Sequence, residues 1–130
     1  MNRLTFQLQS AEYSLCRLAP EQTIPDWVYG SAFFSISKTS DELSIVCESQ
    51  FVPGEAKQNG QWRLLKIMAV LDLSLTGITA QFSTALANAG VNICVIATYD
   101  TDYLLVKEEK LSAAINALEN AGFAVQLLNH

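Results

Sequence analysis

Phe82-Ser83-Thr84-Ala85-Leu86-Ala87-Asn88-Ala89-Gly90-Val91-Asn92-Ile93-Cys94-Val95-Ile96-Ala97 decides the fold. Ile78, Phe82, Ala85, Leu86 and Ala89 fall at i, i+4, i+7, i+8 and i+11, a single helical face. Gly90 suits the left-handed position just past a helix end, and the apolar run after it reads as a strand. The same phrase recurs downstream. Leu111, Ala114, Ile115, Leu118 and Ala121 repeat the helical face, and Asn120-Ala121-Gly122 repeats the ending before Phe123. Upstream, residues 64–71 form an apolar run broken only by Lys66, as a buried central strand would. Strands at 91–99 and 103–107 are joined by Asp100-Thr101-Asp102, and 123–128 closes the sheet. The order is βαββαβ, with connections too short for more than one layer of helix on one layer of sheet.

Working back from that half, residues 5–9 alternate weakly and predict a short edge strand. Residues 13–18 alternate cleanly, with Tyr13, Leu15 and Arg17 on one face and Ser14, Cys16 and Leu18 on the other. Pro20 and Pro25 bracket a segment in which Asp26-Trp27-Val28-Tyr29 suits one helical turn, capped by Asp26 and stopped by Gly30. Residues 32–37 and 43–48 are strand-like, with a polar connector of hairpin length between them. Pro53-Gly54 and Asn59-Gly60 mark a loop. The expected fold class is α+β, with two ferredoxin-like halves whose antiparallel sheets carry helices on one face. Residues 1–60 form a first, shortened half and 61–130 a second, complete one, repeated in element order rather than in letters.

Composition narrows the function. Half of the 130 residues are hydrophobic, so a packed core is expected and disorder is not. The net charge is -5, with eight Lys and Arg scattered along the chain. Nucleic-acid binding needs a basic stripe to neutralise phosphates, so neither nucleic acid nor an anionic membrane surface is an expected partner. No uncharged apolar run approaches a membrane span, and the start of the chain does not read as a signal peptide. Cys16, Cys47 and Cys94 are far apart, each inside an apolar run, which predicts buried free thiols and a reducing, cytoplasmic setting. The one histidine, His130, is the last residue. With no internal histidine, and without an activated nucleophile in view, the chain reads as no enzyme, with no metal and no cofactor.

Two turns remain as candidate sites. Asp72-Leu73-Ser74-Leu75-Thr76-Gly77-Ile78 joins a buried strand to a helix start, where free backbone N–H groups and the positive end of the dipole suit a carboxylate. Gly77 lets a ligand approach the backbone, and Thr76 can either cap the helix or reach a ligand. The second turn is Thr98-Tyr99-Asp100-Thr101-Asp102-Tyr103. Its residues are ordinary turn formers, but an aspartate there could also pair with an ammonium or, in a bidentate fork, a guanidinium. Tyr99 and Tyr103 share strand parity, placed to stack on a ligand or simply to pack.

These residues carry a resemblance. Residues 61–130 resemble an ACT domain, a small amino-acid-binding regulatory module. The whole chain from about Tyr13 onward is similar to stand-alone tandem-ACT proteins of bacteria, a group related to the ACT repeats of cytosolic arginine sensors of the CASTOR type. The matching stretches are Ile24-Pro25-Asp26-Trp27, Asp41-Glu42-Leu43-Ser44-Ile45-Val46-Cys47, Leu75-Thr76-Gly77-Ile78, and 97–108, of which the last is the most specific. The resemblance implies a ligand cleft lined by the helix-start loop and the end of the second strand of the unit. It implies that Asp102 meets a cationic group and that backbone near Thr98 and Tyr99 holds an α-amino group. Where the sensors carry an acid, this chain has Leu75. The site expected is Thr76, Gly77, Ile78, Thr98, Tyr99, Asp100 and Asp102. The expected ligand is a free amino acid: arginine, another cationic one, or a small one. A homodimer is expected, and the competing reading is a pure interaction module with a vestigial cleft.

Overall fold

The computed structural model describes residues 4–68 and 77–128. The chain divides into two compact units, Met1–Ser10 with Arg63–His130, and Ala11–Trp62. Strands β1 (Thr5–Leu18) and β4 (Gln58–Ile67) each contribute to both, since the divisions fall inside them.

In the larger unit the remaining elements are α1 (Ile78–Asn88), β5 (Ile93–Ala97), β6 (Asp102–Lys107), α2 (Leu111–Asn120) and β7 (Ala124–Leu127). Both helices end alike. The Gly90 and Val91 N–H groups reach the Ala87 and Leu86 carbonyls, and those of Gly122 and Phe123 reach Glu119 and Leu118. Both glycines have positive φ. Each ending is a Schellman motif whose flanking apolar pair, Val91 with Leu86 or Phe123 with Leu118, enters the core. The repeated Asn-Ala-Gly phrase is that motif written in sequence.

The edge-strand expectation for 5–9 is overturned. These residues begin a single strand of 14 residues, and its start lies inside the sheet of the larger unit. β7 runs parallel along one side of it, from Thr5↔Ala124 to Leu8↔Leu127. β4 lies on the other, where the Met68 N–H donates to the Thr5 carbonyl at 2.8 Å. The strand order is therefore β7-β1-β4-β6-β5. Phe6 and Leu8 point into the core, where Phe6 packs edge-on against Phe82 and Phe123 at 5.5 and 5.4 Å. Full burial of one such side chain is worth about 1.5–3 kcal/mol. Weak alternation misleads here because centrality is a property of the neighbouring strands, which the local pattern does not contain.

In the smaller unit, β2 (Ser35–Lys38) pairs antiparallel with β3 (Leu43–Glu48). The second half of β1 pairs with β3 from Tyr13↔Glu48 to Leu18↔Leu43, and the order is β2-β3-β1-β4. The unit also holds two 3-10 turns, Asp26–Gly30 and Ser49–Phe51. Asp26 does not cap the first turn. Pro25 holds the cap position at φ -66, and its carbonyl accepts the Val28 N–H. Val28, Leu43, Ile45, Cys16 and Cys47 form the core, with Trp27 packed against it. Glu48 is buried but fully bonded, accepting the Ala32 N–H (2.6 Å), the Ser31 hydroxyl (3.2 Å) and the Gln50 amide (2.8 Å). The loop expected around Asn59-Gly60 is part of β4, and within that strand Gln61 has a φ of 65, in the left-handed region.

Candidate functional site

The β5–β6 hairpin closes on the pair Ala97↔Asp102. Its turn is held by the Thr98 N–H donating to the Thr101 carbonyl at 2.8 Å. The Thr98 hydroxyl donates to the same carbonyl at 2.9 Å, and the Thr101 N–H donates back to that hydroxyl at 3.3 Å. Thr101 is buried, and its hydroxyl donates to the Ile67 carbonyl at 3.0 Å. That bond ties the hairpin to the end of β4, the strand from which the chain departs toward α1. Asp102, first residue of β6, thereby comes beside the start of α1. The Thr79 hydroxyl donates to its Oδ2 at 3.4 Å.

Gly77 is the residue before α1 and has φ 95, a conformation that costs an L-residue energy. Its carbonyl accepts the Gln81 N–H at 2.9 Å, so the N–H groups of Ile78, Thr79 and Ala80 precede the first intrahelical bond. A Cβ placed on Gly77 would meet no described atom within 4 Å. Ile78 is half-buried and packs on the core. The structure thus brings Gly77, Ile78 and Asp102 into one neighbourhood. Tyr99 and Asp100 are at the hairpin tip, Tyr99 at 102% exposure, while Thr98 is spent on the turn itself. Thr76 lies outside the described residues, as does His130.

Two residues that the sequence reading passed over matter here, Thr101 as the anchor and Thr79 as the bridge to Asp102. Thr98 and Thr101, three apart around a turn, were the available signal for the first. Nothing in the sequence signalled the second. The Tyr103 ring lies 6.0 Å from the Lys66 ammonium, a cation–π distance. Chemically, the arrangement offers an acid at Asp102 and the positive end of a helix beside it, the two halves of what a zwitterion needs.

The thiols offer little reactivity. Cys16 and Cys47 are buried and share a hydrogen bond that raises Cys47 and favours proton loss at Cys16; burial adds to the rise at Cys47. Burial also raises Cys94. Among the described residues no cluster of three or more His, Cys, Asp or Glu could hold a metal ion, and no helix is long and apolar enough to cross a membrane.

Residues 58–120 match the family model of an ACT domain, and an N-terminal-domain model matches residues 11–55. Residues 58–120 are thus an ACT domain. It is 28% identical over 97 residues to the cytosolic arginine sensor for mTORC1 subunit 1 of cattle and of humans. That match covers 66% of this chain but only 30% of the length of those relatives. A crystal structure of an Agobacterium tumefaciens protein superposes with a TM-score of 0.93 at 32% identity, covering 100% of this chain and 97% of that one. The ligand-free regulatory subunit of aspartate kinase from Thermus thermophilus shares the fold, with a TM-score of 0.63 at 14% identity over 88% of this chain and 94% of that one. The chain is an α+β protein of the ACT type.

Proposed function

We propose that this protein is a non-catalytic cytoplasmic regulator that binds a free amino acid at the junction of the β5–β6 hairpin and the start of α1. In this reading the ligand carboxylate meets the N–H groups from Ile78 onward, beside Gly77; Thr76, outside the described residues, belongs to the same proposed loop by sequence alone. Asp102 takes the ammonium or a cationic side chain, with Thr98, Tyr99 and Asp100 bordering the entrance. The observation that carries the reading is the 3.4 Å approach of Thr79 to Asp102, which joins the helix start and the acidic hairpin. The sensor relatives lend arginine, another cationic amino acid or a small one as first candidates. The two units act as two ACT-type halves, the smaller with its helices reduced to single turns.

Calorimetry and thermal shift with the twenty amino acids test this. A true ligand at 100 times its Kd stabilises the fold by about 2.7 kcal/mol. Absence of heat and of any shift at millimolar ligand would reject the sensor reading.

A second reading, an interaction module, has one observation in its favour. Val95 on the edge strand β5 and Leu127 on β7 are exposed, at 40% and 62%, and unpaired strand edges invite pairing. We assign these edges to a homodimer, which is compatible with both readings.

A further inference from the structure

The smaller unit carries a feature that the amino-acid site does not use. The Arg17 backbone N–H donates to the Lys57 backbone carbonyl at 3.0 Å, and both residues line the same two cavities, so two cationic residues share one stretch of surface. Like charges placed across strands repel. Arg17 has only partial compensation: its guanidinium is 3.9 Å from Glu42 and makes long bonds, 3.3 and 3.4 Å, to the Asp41 carbonyl. Both residues line a cavity of about 380 Å³ whose walls mix Leu18, Pro25, Trp27 and Pro53 with the polar Gln22 and the carboxylate Glu55. A second cavity of about 260 Å³ also touches both Arg17 and Lys57.

By strand order this cavity lies at the end of the unit's first strand and the start of its first turn. A fork-shaped cation and a point cation over an aromatic floor suit one planar monoanion on an apolar body. We infer that the Arg17–Lys57–Trp27 cavity is a second binding site, specific for a small organic carboxylate with an apolar body. The carboxylate lies between Arg17 and Lys57, relieving their repulsion. The body rests on Trp27 and the two prolines. The site shares no residue with the Asp102 neighbourhood, and its ligand needs no ammonium.

Titration of the nitrogen-15-labelled full chain with 3-phenylpropionate tests this, read at the indole N–H signals of Trp27 and Trp62, which a Trp27→Phe variant assigns. The expected result is a saturable shift of the Trp27 signal below about 10 mM. Arg17→Ala and Lys57→Ala, both at the surface, should each weaken it roughly tenfold. 3-Phenylpropylamine, of opposite charge, should leave the signal in place. No saturable shift, equal binding of the amine, or equal binding of inorganic phosphate would each overturn the inference. Because the probe lacks an α-ammonium, such a failure leaves the amino-acid reading standing, and the reverse also holds.

Discussion

The Thr79 hydroxyl donates to the Asp102 carboxylate at 3.4 Å, linking the first turn of α1 to the first residue of β6 across a separation of 23 residues. The acid gains from the positive end of the helix, and the helix start gains a neighbour that can hold a cation. In the proposed reading neither segment binds a zwitterion alone. The bond is long and exposed, so it is weak enough for a ligand to displace.

Asp102→Ala should therefore abolish the response to amino acid while leaving the fold and the assembly state unchanged. Loss of one charge-assisted bond weakens binding roughly tenfold or more. Calorimetry with size-exclusion chromatography checks it, and an undiminished affinity would remove Asp102 from the site.

Gly77→Ala places a side chain at φ 95. Among the described residues no atom lies within 4 Å of that side chain, so the expected cost is backbone strain of about 1–2 kcal/mol. Urea unfolding should show that loss, with Gly77→Asn losing less. Equal stability of all three would mean that the turn relaxes.

Thr101→Val removes the donor to the Ile67 carbonyl and leaves that acceptor buried. A loss of about 1–3 kcal/mol is expected. Amide exchange should also quicken in the β5–β6 hairpin, since that bond ties it to β4. Unchanged exchange would show the hairpin is held elsewhere.

Phe6→Ala empties a core position between Phe82 and Phe123 and should cost about 3–5 kcal/mol. That is a large share of a small domain's stability. A fragment of residues 61–130 lacks β1, so it should fail to fold alone. A cooperative unfolding transition in that fragment would show that β1 is dispensable.

Cys47 holds its proton above the ordinary thiol value of 9.0, because it is buried and bonded to Cys16. Its pKa is raised on folding, so the related stability is intact below that value and falls as pH rises past it. Urea midpoints from neutral pH to about pH 10 should fall more for wild type than for Cys47→Ala. Parallel curves would place the alkaline loss on other groups.

Much was legible in the letters. The periodicity of 78–89 and 111–121 and the two Asn-Ala-Gly endings specify both helices and their stops, because a Schellman ending requires only adjacent residues. The helix-start glycine and the acidic hairpin were legible too, as turn chemistry is local. What the sequence could not yield was partnership. Residues 5–9 look like an edge because two apolar side chains among polar ones say nothing of the strands on either side. Thr101 looked like one more turn former until its hydroxyl met the Ile67 carbonyl.

Sequence alone determined the element types, the ACT-type order of the second half and the lack of an internal histidine, for each depends on residues close along the chain. Only the tertiary structure decided that β1 threads between β7 and β4, that Asp102 stands at the α1 start, and that Arg17 lies against Lys57. Those are meetings of distant segments, fixed by which apolar faces must be buried together, and no local pattern encodes them.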